Sequence, residues 1–275
     1  MISQFLFLFA LHFCFENIVK TWYTCFITKS LKRDEINMKY VVDIHTHTVV
    51  SQHAYSTIYE NTKAANQKGL ELIATTDHAP GMKNTAPRAF FTNYHVLPHT
   101  LNGIELLHGV ELNIMDYDGN IDLENDILQK LDIAIASLHP PCIPFGTMQQ
   151  NTRACIKAME NPLIDVLGHP GDPRYPIDVK EIVKTSKQTK CLIEINNASL
   201  VPNGFRQGSD VIIEQILKYA MEYETPIVLG SDAHFYMQIG DFAYCNAILE
   251  RVHFPEELIV NTSAQKLKKA LKRNQ

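Results

Sequence analysis

Seven short apolar runs, nearly all closing on His, Asp, Glu or Asn, set the tightest limit on what this chain can become. They are Val41–His47, Glu71–His78, Glu105–Ile114, Asp132–His139, Asp165–Pro170, Cys191–Asn197 and Pro226–His234. Their apolar, β-branched starts suit strands buried in a parallel sheet. Helical stretches lie between them. Ser56–Gln67 opens on a cap residue and has Gly69 just past its end, and Leu123–Leu131, Thr152–Glu160, Val179–Gln188, Ser209–Glu222 and Asp241–Arg251 follow. Only the crossover at 79–104, broken by Pro80, Gly81, Pro87 and Pro98, is irregular. Such alternation implies right-handed βαβ units. An open sheet gathers its ligands at a switch point served by a few strands. Here every strand delivers a polar residue at its C-terminal end, and only a closed barrel brings all those ends to one rim. The expected fold is α/β, a seven-stranded TIM-barrel-like closure. The tail at Glu257–Val260 is too short and too late to be an eighth strand.

A chain of 275 residues with 45% hydrophobic content can bury a full core without staples. Its net charge of −5 argues against coating nucleic acid through charge alone. The six cysteines, at 14, 25, 142, 155, 191 and 245, form no C-x-x-C pair and fit thiols kept reduced in a core. The first 37 residues differ in character. Phe5–Phe15 is nearly all apolar but shorter than the about 20 residues a spanning helix needs. No basic residue precedes it and no small-residue cleavage site follows. The expectation is that residues 1–37 are a mis-called extension, that Met38 is the initiator, and that 38–275 form a single cytoplasmic domain with no membrane attachment.

Twelve histidines are many for this length, and their placement matters more than their number. His45 and His47 form H-x-H, so both rings leave one face of the first strand, with Asp43 in the same parity. His53 follows on the loop. His78 ends the second run, Glu111 lies near the end of the third, His139 ends the fourth, and His169 lies at the end of the fifth. Asp232 and His234 close the seventh as D-x-H. A lone strand-end His is more often a packing residue than a ligand. Seven imidazoles and two carboxylates on one rim are another matter. Neutral rings would compete for partners and protonated ones would repel. Divalent metal resolves the conflict, and nine donors suit two or three ions with a bridging carboxylate. The other histidines, at 12, 95, 99, 108 and 253, lack this placement and read as structural or surface residues; His108, three before Glu111, faces away from it.

The series H-x-H-x5-H, T-D-H, a third-strand Glu, two further His and S-D-x-H resembles the PHP superfamily, named for polymerase and histidinol phosphatase. It is most similar to the stand-alone bacterial probable phosphatases of the YcdX-like group. The text that carries the likeness is Asp43–Thr57, Thr75–Pro80, Gly109–Ile114, His169–Tyr175, Glu194–Ser199 and Gly230–His234. The resemblance spans nearly all of 38–275. It implies a distorted (β/α)7 barrel with three zinc ions, Mn or Fe being alternatives. His45, His47, Glu111 and Asp232 would hold one ion. His53, His78 and His234 would hold the second, and Glu111, His139 and His169 the third. It further implies phosphoester hydrolysis with a metal-bound hydroxide as nucleophile, Glu111 as bridge, and Asp232 as ligand or proton acceptor.

Phosphate needs donors besides metal. Arg174 and Arg206 are candidate clamps, each balanced against a solvated loop arginine. Asn196 shares parity with Glu194, so both face the interior, supporting the site or a structural network. The basic QKLKKALKR tail reads as a solvated helix face. The leading expectation is a phosphatase for a small phosphomonoester, with no stable nucleic-acid partner and with homo-oligomers left open. The alternatives are a phosphodiesterase or exonuclease on nucleic-acid ends, an amidohydrolase, and a non-catalytic metal-bound module.

Overall fold

The computed structural model describes residues Tyr40–Gln275; the expected extension, residues 1–37, lies outside the described residues. Seven parallel strands follow one another around a sheet in chain order: β1 (Val42–Asp43), β2 (Leu72–Thr75), β3 (Ile104–Asn113), β4 (Ile133–Ser137), β5 (Val166–Leu167), β6 (Leu192–Asn196) and β7 (Ile227–Gly230). Six of the seven expected runs contain one of these strands, and the third overlaps β3, which begins one residue earlier at Ile104. Most ladders are shorter than their runs because the polar ends leave the sheet to form the mouth.

The seam between β7 and β1 closes in two ways. Near the mouth, Thr46 and Ala233 form a parallel bridge, with His47 N–H donating to Ala233 O at 2.9 Å and Asp232 N–H to His45 O at 2.9 Å. Towards the floor, the buried Asn261 side chain stands in for a strand. Its Oδ1 accepts Leu229 N–H at 2.7 Å, and its Nδ2 donates to Val42 O and Leu229 O at 2.9 Å each. Ile259 adds a single bridge to Ile227. The tail is not an eighth strand, as expected, yet it completes the closure. The result is a distorted seven-stranded (β/α)7 barrel.

The helices are set by their caps. Thr57 and Glu60 form a capping box at the start of α1 (Ile58–Gln67). Thr147 and Gln150 form another, so α2 (Met148–Glu160) starts four residues earlier than expected. Asp178 caps α3 (Val179–Thr189), α4 runs Ser209–Glu222 as expected, and α5 is Ala243–Arg251. Between β3 and β4 only Asn125–Leu128 is helical. The irregular crossover holds a short helix, Arg88–Thr92, and a two-residue strand, Thr100–Leu101, antiparallel to β3.

Every strand sends at least one residue into the lower lumen, among them Val42, Leu72, Leu107, Ile133, Val166, Leu192 and Val228. Leu267 and Leu271, from and just after α6 (Ala264–Ala270), close this core from below. This corrects the reading of the basic tail as a solvated face. Lys268 pairs with Glu105 at 2.8 Å, and Lys272 donates to Met159 O at 2.7 Å and Asn161 O at 2.9 Å, at the end of α2. Arg273 pairs with the buried Asp165 at 2.7 Å and donates to the carbonyls of Leu128, Leu131 and Leu163. No helix among the described residues is long and apolar enough to cross a membrane.

Candidate metal centre

All nine candidate donors lie at the mouth. Glu111 is its hub, fully buried at the end of β3. Its Oε1 lies 2.8 Å from His169 Nε2 and 3.2 Å from His139 Nε2. Its Oε2 lies 2.8 Å from His78 Nδ1, 3.3 Å from His45 Nε2 and 3.5 Å from His47 Nε2. Each oxygen thus serves a different set of rings, the geometry of a bridge. Asp232 Oδ1 sits 3.2 Å from His47 Nε2 and 3.5 Å from His45 Nε2. On the solvent side, the exposed His53 places Nε2 at 3.3 Å from His78 Nε2, and the His234 ring lies 4.4 Å from that of His47 between centroids.

Backbone strain aims two of these side chains. Strict alternation from Val166 would turn His169 away from the lumen; its φ of 29° swings the ring inward. Asp232 has φ 57°. Such values are uncommon outside glycine and mark a conformation the surroundings enforce. Close approach explains Gly230: a Cβ there would lie 2.0 Å from Glu194 Oε1 and 2.7 Å from His45 Cβ.

Behind the donors, four rings are tied through Nδ1, leaving Nε2 free of these partners; Nδ1 of His234 meets Asp232 O at 2.8 Å. His45 meets Glu194 at 2.7 Å, His139 meets Asn113 Oδ1 at 2.7 Å, and His47 meets Ser51 Oγ at 3.3 Å. Asn113 in turn donates to Asp122 at 2.6 Å, and Ser51 donates to Asp77 at 2.6 Å. Such partners fix tautomer and ring direction. The sequence pointed to Glu194 by parity. It gave no signal for Ser51 or Asp77 beyond their closeness to donors, and none for Asp122. Asp43 shares parity with His45 but does not face the mouth set; its buried carboxylate accepts Ser231 N–H at 3.0 Å and Gly240 N–H at 2.8 Å.

Whether metal fits can be tested on the atoms themselves. Among the described residues ten buried side-chain polar atoms have no hydrogen-bond partner, and four are His45 Nε2, His47 Nε2, His78 Nδ1 and Glu111 Oε2. They converge within a few ångströms without hydrogen-bond alignment. Two nitrogens about 2.0–2.1 Å from a shared tetrahedral ion lie roughly 3.3 Å apart, the separation of His53 Nε2 and His78 Nε2; a neutral ring ligates through one nitrogen, so His78 would use Nε2 beside His53 or Nδ1 beside Glu111, not both. Donor atoms also meet within 4.8 Å in the groups His45–His47–Glu111, His78–Glu111–His139 and His47–His78–His234. The overlap of these groups describes one compact centre.

Charge points the same way. Burial, with His234 and His78 nearby, holds His47 well below the usual imidazole pKa. Burial lowers His53, and pushes His139 down to about 4. Against the upward pull of burial, neighbouring imidazoles hold Glu111 and Asp232 well below the carboxylate range. Neutral imidazole and ionised carboxylate are the ligating forms. Burial would lower His45 as well, but Glu194, Glu111 and Asp232 hold it well above its usual value. Three buried carboxylates around one ring demand positive charge, from a proton or from an ion.

The other sequence candidates differ among themselves. Arg206 Nη1 reaches Asp232 Oδ2 at 3.3 Å and Ser199 Oγ at 3.2 Å, so it borders the centre. Arg174 is held by Asp172, at 2.9 Å and 3.1 Å from Nε, and stacks over Phe205 at 4.2 Å. Asn196 is buried, its Nδ2 donating to Glu194 at 3.2 Å and its Oδ1 accepting Ser199 N–H and O–H at 2.9 Å each. A separate group, His99, His108 and Asp132, lies on the outer face of β3. There Asp132 accepts His108 N–H at 2.8 Å, the rings of His99 and Tyr94 stack on that of His108, and His108 Nε2 is buried without a hydrogen-bond partner.

Comparison with known proteins places this arrangement. A probable phosphatase of Clostridium novyi (strain NT) is 47% identical over 235 residues, covering 86% of this chain and 96% of the relative. One from Thermoanaerobacter sp. (strain X514) is 46% identical over 236 residues, covering 86% and 96%. In fold, the chain is similar to the histidinol phosphate phosphatase of Lactococcus lactis subsp. lactis Il1403, crystallised with zinc, L-histidinol and phosphate. That likeness has a TM-score of 0.58 at 18% identity and covers 79% of this chain and 95% of that one. The family model described as the PHP domain matches residues 43–224, and with relatives this similar along most of their length the chain belongs to the PHP family.

Proposed function

We propose that the protein is a metal-dependent phosphatase that hydrolyses a small phosphomonoester in the cytoplasm, with three zinc ions held by the nine mouth donors. The observation that carries the reading is the convergence of three unpartnered, buried imidazole nitrogens, of His45, His47 and His78, on the equally unpartnered Oε2 of Glu111. The names of the curated relatives support the phosphatase class, and the zinc and phosphate bound to the Lactococcus protein support the metal and the ligand.

Bound divalent ions supply Lewis acidity, acidifying water and offsetting the charge of phosphate. The chain's own groups do the rest. Glu111 offers one oxygen to His139 and His169 and the other to His45, His47 and His78, so it would be the ligand shared between the two sets of donors. Asp232 turns Oδ1 to the donors and keeps Oδ2 against Arg206, so it remains ionised. Arg206 is 14% exposed and placed to donate to a phosphate oxygen. Arg174, locked to Asp172, is the second clamp, one step further out.

The test is a panel of sugar phosphates, nucleotides, histidinol phosphate and short oligonucleotides. Turnover of monoesters alone is the expected result. Cleavage confined to oligonucleotides would establish a phosphodiesterase or exonuclease instead, and no turnover by zinc-loaded protein would leave the non-catalytic module.

A further inference from the structure

We infer that Asp77, acting through the Ser51 hydroxyl, is the positioning residue that fixes His47 in its ion-accepting tautomer and ties the first mouth loop to the end of β2. The inference rests on the reading of the mouth as a metal centre.

Asp77 is fully buried and precedes His78 by one residue, so it leaves the chain on the opposite side. Three neutral donors meet its carboxylate: Thr48 N–H at 2.8 Å, Thr48 Oγ1–H at 2.8 Å and Ser51 Oγ–H at 2.6 Å. A buried carboxylate is costly to keep when only neutral groups face it. Its placement becomes intelligible through what it does to Ser51. A serine hydroxyl has one proton and two lone pairs. With that proton given to Asp77, Oγ can only accept. It accepts His78 N–H at 3.2 Å, and it faces His47 Nδ1 at 3.3 Å. Nδ1 of His47 must therefore carry the ring proton.

Nε2 of His47 is then bare, and it is the atom that lies unpartnered between Asp232 and Glu111. One carboxylate thus sets the tautomer of His47 and pins the loop carrying His47 and His53 to the strand end carrying His78. The mouth repeats this logic elsewhere, with Glu194 acting directly on His45 and Asp122 acting on His139 through Asn113.

The first test needs no substitution. Long-range proton–nitrogen NMR of metal-free wild-type protein should show His47 protonated at Nδ1; a proton on Nε2 overturns the inference. The second is zinc titration of stripped protein against a competing chelator, with circular dichroism confirming the fold. Asp77→Asn and Ser51→Ala should each weaken one zinc ion by about 10–100-fold. Ser51→Thr, which keeps the hydroxyl, should restore it, and the double variant should lose little more than either single one. With p-nitrophenyl phosphate, kcat should fall in these variants while KM stays near wild type. Folded variants that bind zinc like wild type overturn the inference alone. A wild type that binds no zinc overturns the metal centre, and the inference with it.

Discussion

The two ends of the barrel are made from the same seven strands yet treat buried polar groups in opposite ways. At the floor, Arg273 meets Asp165 and three carbonyls, Asn261 meets both seam strands, and the lumen above is aliphatic. At the mouth, His45, His47, His78 and Glu111 each keep a buried atom without a partner, and His169 and Asp232 hold strained backbone. Satisfied networks stabilise a fold, whereas unsatisfied ones await a ligand. The difference teaches where to look: three unpartnered nitrogens gathered on the unpartnered oxygen of Glu111, rather than a lone atom such as Thr225 Oγ1, mark the mouth.

That contrast can be broken from either end. The largest effect should come from Glu111→Ala at the mouth, lowering kcat for p-nitrophenyl phosphate by at least about 10³-fold without unfolding the metal-free protein. Turnover near wild type would place the chemistry elsewhere. At the floor, Arg273→Ala leaves the buried Asp165 carboxylate unpaired, and urea unfolding should report a loss of about 3–5 kcal/mol. Its kcat/KM, measured where the protein is folded, should be unchanged; a matching fall in kcat would show that the ends are not separable. Chelation comes next. It should remove activity while leaving circular dichroism native-like, and zinc at about 100 times its Kd should return roughly 2.7 kcal/mol of stability per site. Unfolding on chelation would make the centre part of the core.

The smallest effect is a pH slope in metal-free protein. Burial lowers His47, His53 and His139, the last to about 4, so the unfolded chain binds more protons below the usual imidazole value of 6.5. Their contribution is present above 6.5 and is lost as pH falls towards the folded values. His45, raised by its carboxylates, works in the opposite sense, its contribution fading as pH rises. With three lowered rings against one raised, the urea midpoint should decline as pH drops from 6.5 towards 4. A rising midpoint would mean that the carboxyls of Asp43 and Asp122, which burial holds above their usual value, take up protons in the folded state and dominate.

Much of this was legible in the sequence because the signals are local. A β-branched start and a polar end announce each strand, and seven such ends close together only in a barrel. The candidate donors follow from the same pattern. What was hidden depends on distant partners. Nothing near Asn261 says that it bonds Val42, 219 positions away. The Leu267 and Leu271 pattern of the tail is shared by any surface helix, and only the open floor of the barrel gives it a place. Thr147 starts α2 through Gln150, a box that a reading from Thr152 passes over. Asp77 and Ser51 look like ordinary loop residues until the fold brings Oγ beside His47.

The central claim is that the mouth is a multi-ion centre, and elemental analysis of protein purified without added metal tests it most directly. Between two and three divalent ions per chain are expected, falling in Glu111→Ala. A content near zero, in protein that is folded and was never exposed to chelator, would contradict the account.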